Sequence, residues 1–74
     1  MTNADRQPRV ADVAHSALMD AGHPDLAELV CFYWHDDESP YLLPLWGVTA
    51  AEWAIMERAE SLALEAWRAG RCRA

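Results

Sequence analysis

From Thr49 to Gly70 the sequence specifies one helix with both ends marked, and the width of its apolar face dictates what the rest of the chain must do. Thr49 and Glu52 form a T-x-x-E capping box, in which each side chain satisfies an otherwise orphaned amide of the first turn. Gly70 stands where a left-handed residue closes a helix. Placing residues 50–69 at about 100° intervals puts Ile55, Met56, Ala59, Leu62, Ala63 and Ala66 on one stripe, the ordinary core face. Trp53, Leu64 and Trp67 extend that stripe on one flank, interrupted only by Glu60. The apolar arc therefore covers roughly 200°, about twice what a helix lying on a single core requires. The expected cover for the flank is the apolar segment Tyr41–Val48, because chains bury such surface internally before exposing it. The alternative is a two-fold homodimer through Trp53, Leu64 and Trp67.

Upstream, Pro8 suits the first turn of a helix, and Val10, Val13, Ala14, Ala17, Leu18 and Ala21 follow at helical spacing up to Gly22. This predicts a first helix over about 9–21, with an Ala-rich face that lets a neighbour approach closely. Pro24 and the acids Asp25 and Glu28 suit a second helix start, and Leu26, Leu29, Val30 and Tyr33 continue the periodicity, so a helix reaching Trp34 is expected. The run Leu29–Trp34, LVCFYW, is also rich in β-favouring residues, and the alternative is a short hairpin pairing 29–34 with 41–46 across the polar turn HDDESP. Pro44 argues against that pairing, because proline removes a ladder donor. Pro44 and Gly47 keep YLLPLWGV extended rather than helical. The fold class expected is thus mainly α: a small three-helix domain with an apolar extended segment before the last helix, or, in the alternative, α+β with a short hairpin.

With 74 residues there is room for one domain, near the lower limit at which a chain folds without staples. Residues 8–70 are assigned to it, with a flexible amino-terminal tail at 1–7 and a carboxyl-terminal tail at 71–74. No stretch approaches the roughly 20 apolar residues of a membrane span, and the polar amino terminus lacks a signal peptide's apolar core, so a cytoplasmic protein is expected. Cys31 and Cys72 are too few for a disulfide framework.

The formal charge of −6 is concentrated in the middle of the chain, where Asp25, Glu28, Asp36, Asp37 and Glu38 stand without a basic residue between His23 and Val48. Such a surface repels phosphate backbones, which argues against direct nucleic-acid binding, and attracts basic partners. Catalysis is not expected. Ser16, Ser39 and Ser61 sit in no recognisable nucleophile turn, there is no glycine-rich phosphate loop and no C-x-x-C, and so small a core leaves little room for a pocket of roughly 300–1,000 Å³. Cys31 and His35 would share a helix face as two metal ligands, but a structural zinc site needs four, and a buried thiol beside an ordinary histidine accounts for the pair. No metal or cofactor is expected.

What remains is an aromatic and acidic middle. Its aromatics are either core beside a solvated acidic turn, or anchors of a recognition surface with an acidic rim. The function expected is a small protein–protein interaction module, an adaptor, inhibitor or assembly factor, that binds a basic protein through Tyr33, Trp34, Asp36, Asp37, Glu38, Tyr41 and Trp46. Second is an acidic decoy that occupies the nucleic-acid site of a DNA- or RNA-binding protein. A structural homodimer ranks third.

Overall fold

A computed structural model of the protein describes residues 7–35 and 38–74. The elements run α1 (Val10–Asp20), α2 (Pro24–Ala27), β1 (Phe32–Tyr33), β2 (Tyr41–Leu42) and α3 (Ala50–Arg68). This is the mainly helical domain expected from the sequence, and it also contains the short antiparallel hairpin that the sequence offered as an alternative.

The long helix begins as its sequence requires. Thr49 Oγ1 accepts the Glu52 N–H at 3.1 Å, and Glu52 Oε1 accepts the Thr49 N–H at 2.9 Å, completing the capping box. Both glycine stops are also built as expected. Gly22 (φ 85°) and Gly70 (φ 75°) adopt the left-handed conformation. The residue after each donates back across the last turn, His23 N–H to the Leu18 carbonyl and Arg71 N–H to the Ala66 carbonyl, each at 2.8 Å.

α1 and α3 lie antiparallel and share the core. Val10, Ala14 and Leu18, spaced four apart on α1, are buried together with Met56, Ala59, Ala63 and Ala66 of α3. Alanine on both sides of this seam removes side-chain bulk that would otherwise hold the helices apart. Leu26 and Ala27 of α2 and Leu42 of β2 close the ends of the same cluster.

Residues 71–74, read from the sequence as a tail, are docked. The turn at Gly70 reverses the chain so that Cys72 is buried (4% exposed), its thiol 3.7 Å from the Ala63 carbonyl. Arg73 then pairs with the start of α1: its carbonyl accepts the Val10 N–H at 2.6 Å and its N–H donates to the Pro8 carbonyl at 3.0 Å. Val10 N–H is one of the donors a helix start leaves without an intrahelical partner. A strand-like contact therefore caps α1. Gln7, counted with the amino-terminal tail, reaches the Gly70 carbonyl through its side chain.

The second helix ends early. It stops at Ala27, and Leu29 and Val30 donate to Leu26 and Ala27 in i→i−3 turns that tighten the chain out of the helix. The β-branched and aromatic residues that follow take the extended conformation they favour. β1 pairs with β2 in the register Phe32↔Leu42 and Tyr33↔Tyr41. Leu43 N–H donates to the Cys31 carbonyl at 2.9 Å, one position beyond the named strands, so the ladder is finished before Pro44. Proline's missing donor is no obstacle one residue past the pairing.

Candidate interaction surface

The hairpin separates its residues by face, since successive side chains on a strand point to opposite sides. Leu42 is buried (5% exposed) and Phe32, its direct partner, is half-buried against the core. Tyr33 and Tyr41 form the outward pair, with ring centroids 5.6 Å apart. His35 continues this face: its ring meets Tyr33 edge-on at 4.9 Å, and Tyr33 Oη and His35 Nε2 are hydrogen-bonded at 2.9 Å. The Tyr33 hydroxyl and His35 Nε2 thus partner each other on this face.

The aromatic residues of this segment differ in exposure, with Phe32 packed against the core. Tyr33 (41%), Trp34 (45%) and Tyr41 (43%) are exposed, and Trp46 is 99% exposed. Among the described residues, no aromatic side chain belongs to the buried core, which is built from Ala, Val, Leu, Met and Cys. Glu38 is exposed beside them in the chain, and its N–H donates to the His35 carbonyl at 3.1 Å. Asp36 and Asp37, named from the sequence with this group, lie outside the described residues.

The hairpin is held to α3 by a residue whose role the sequence hid. Glu60, the polar interruption in the flank formed by Trp53, Leu64 and Trp67, accepts the backbone N–H of Leu42 at 2.6 Å. The three flanking residues are half-buried and packed against the core. By the helical wheel, Glu60 lies at the centre of that flank, so the strand is tied to its midline. The only signal in the sequence was the presence of a carboxylate where an apolar residue would fit. The opposite flank of α3 carries Leu62, which is 50% exposed and lines an open groove with Val13, Ala17 and Asp20 of α1.

The pairing imagined for Cys31 and His35 has no basis in this geometry. Residues four apart share a helix face, but on the extended chain around β1 Cys31 and His35 are about 13 Å apart along the backbone, and Cys31 is exposed rather than buried. Among the described residues, no group of three or more His, Cys, Asp or Glu side chains could hold a metal ion. Among the same residues, no helix is long and apolar enough to cross a membrane. No protein-family model, curated protein or solved structure matches this chain.

Proposed function

We propose that this chain is a protein–protein interaction module, and that the aromatic hairpin with its acidic surroundings docks on a basic surface of the partner. The observation that carries the reading is the exposure of Tyr33, Trp34, Tyr41 and Trp46 together on one small domain. A domain this short gains from every ring it buries, at roughly 1.5–3 kcal/mol for a large apolar side chain, so four exposed rings are surface withheld from its own core. Tyr and Trp are the residues that most often anchor protein interfaces.

Charge supplies the class of partner. From Val10 to Glu57 the chain contains no Lys or Arg, while Asp25, Glu28 and Glu38 are exposed acids of this stretch. A basic surface is steered toward such a region and a nucleic acid is repelled from it. We place the module in the cytosol, a reducing compartment in which Cys31 and Cys72 stay thiols.

The test is affinity capture from the native host with the intact chain and with a Trp34→Ala/Trp46→Ala variant, followed by mass spectrometry and titration of the captured protein. A partner lost from the variant by 30-fold or more in affinity supports the reading. Equal capture by both chains sinks it. A partner displaced by duplex DNA or RNA, and insensitive to the two substitutions, would replace it with the acidic decoy.

A further inference from the structure

The two edges of the hairpin are not equivalent, and the difference follows from one hydrogen bond. Leu43 N–H donates to the Cys31 carbonyl, which fixes the phase of the ladder. In an antiparallel pair, bonded and non-bonded positions alternate, so Phe32 and Leu42 form a non-bonded pair whose N–H and C=O groups point away from each other, to the outer edges. On the β2 side that outward N–H is the one Glu60 accepts. Pro40 and Pro44 flank β2 as well. Carboxylate, prolines and helix together block this edge against another strand.

On the β1 side, among the described residues, no carboxylate or proline plays this part. From Val30 to Trp34 there is no proline and no charged residue. Among the described residues, no hydrogen bond engages the Phe32 or Trp34 N–H. Proteins normally blunt such an edge with charge, proline or a covering element. Here, among the described residues, its outward amides carry no hydrogen bond, beside Tyr33 and Trp34 and on the stretch of chain that lacks basic residues.

We propose that the outer edge of β1 receives an extended, basic segment of the partner as a third strand. This rests on the interaction-module reading and specifies its binding mode. The backbone of the incoming segment pairs with the outward groups of Phe32 and Trp34, the mode of strand addition in which main-chain bonds supply affinity and alternate side chains supply specificity. On the outer face, a residue of the added strand lies beside Tyr33, already in contact with Tyr41, and an arginine there can stack on the tyrosine ring. Glu28 and Glu38, both exposed, bracket β1 in the chain and match a basic segment in sign. The residues facing the core side, in line with Phe32, are expected to be apolar. The segment therefore alternates arginine or lysine with apolar residues.

The test uses the full chain, isotopically labelled, and a synthetic eight-residue peptide alternating Arg and Val. A second peptide of the same sequence is N-methylated at alternate backbone amides so that one edge cannot donate. The expected result is binding of the first peptide, at least tenfold slower hydrogen exchange at the Phe32 and Trp34 amides in its presence, and at least tenfold weaker binding by whichever N-methylated register removes the pairing edge. Equal binding by methylated peptides, or protection confined to other amides, overturns strand addition while leaving a basic partner in place. Absence of binding by either peptide also overturns it, and the capture experiment still judges the module reading separately. Protection at Phe32 that rises with protein concentration alone would assign the edge to a second copy instead.

Discussion

Glu60 accepts the Leu42 N–H at 2.6 Å, a bond between the middle of the long helix and the outward edge of a two-residue strand. A two-stranded hairpin is marginal by itself in water, so its place depends on contacts such as this one. A backbone donor held by a carboxylate contributes about 1.5–3 kcal/mol. Glu60→Ala is therefore expected to lower the melting temperature by about 10 °C, taking roughly 4–8 °C per kcal/mol for a domain of this size. Glu60→Gln keeps a carbonyl acceptor and is expected to lose less. Thermal melts by circular dichroism check the order. No loss in Glu60→Gln would show that the negative charge adds nothing to the bond, and losses equal to those of Glu60→Ala would show that a neutral acceptor does not replace it.

The docked carboxyl-terminal segment leads to a second expectation. Stopping the chain after Gly70 removes the Val10–Arg73 and Arg73–Pro8 backbone bonds and uncovers the space filled by Cys72. Two backbone bonds at about 1 kcal/mol each, with the lost burial, amount to about 2–3 kcal/mol. The shortened chain is expected to melt about 10 °C or more below the parent, with fraying at the start of α1 visible as loss of amide protection near Val10. A melt within 2 °C or so of the parent would mean that the segment only rests on the domain.

The two thiols are expected to behave differently. Cys31 is exposed and Cys72 is buried, so an aromatic disulfide reagent should modify one thiol in the native protein and the second only after denaturant is added. Burial pushes the Cys72 thiol above its ordinary range, and the nearby Arg71 charge opposes this to a smaller extent. Because the folded value lies above the unfolded one, the contribution of the neutral thiol is fully present below the unfolded value of about 8.5 and is lost as pH rises through the folded value. Stability is thus expected to decline on the alkaline side more steeply in the parent than in Cys72→Ala. Parallel declines, or simultaneous labelling of both thiols at neutral pH, would contradict this account.

Much of this architecture could be read from residue types alone. The capping box at Thr49 and Glu52 and the glycines at 22 and 70 are local signals, and local geometry honours them. The break after Ala27 was harder, because Leu26, Leu29, Val30 and Tyr33 fit helical spacing while Leu29–Trp34 also fits a strand, and only the partner strand decides between them. The aromatic surface was named from its composition, but composition does not separate an anchor from a core ring. Glu60 and the docked Arg73 were illegible for a different reason. Both act through backbone groups distant in sequence, Leu42 and Val10, and no periodicity reports which carboxylate or carbonyl will meet a remote amide.

The last expectation concerns Trp46, whose ring is 99% exposed and so has little to contribute to the fold. Substitutions at such surface positions usually change stability by no more than about 0.5 kcal/mol, and Trp46→Phe should melt with the parent. Its fluorescence should nevertheless differ. Trp53 and Trp67 are half-buried against the core and Trp34 is partly screened, so Trp46 should account for the most readily quenched part of the emission. Removing it is expected to lower the Stern–Volmer slope for iodide, and adding saturating partner to the parent should produce a similar drop if the ring is an interface anchor. Truncation to alanine should then weaken partner binding by about 2 kcal/mol, the lower bound for a hot spot, with folding unaffected. A Trp46→Ala chain that binds as tightly as the parent would remove this ring from the contact and shift the interface toward Tyr33, Trp34 and the open edge of β1.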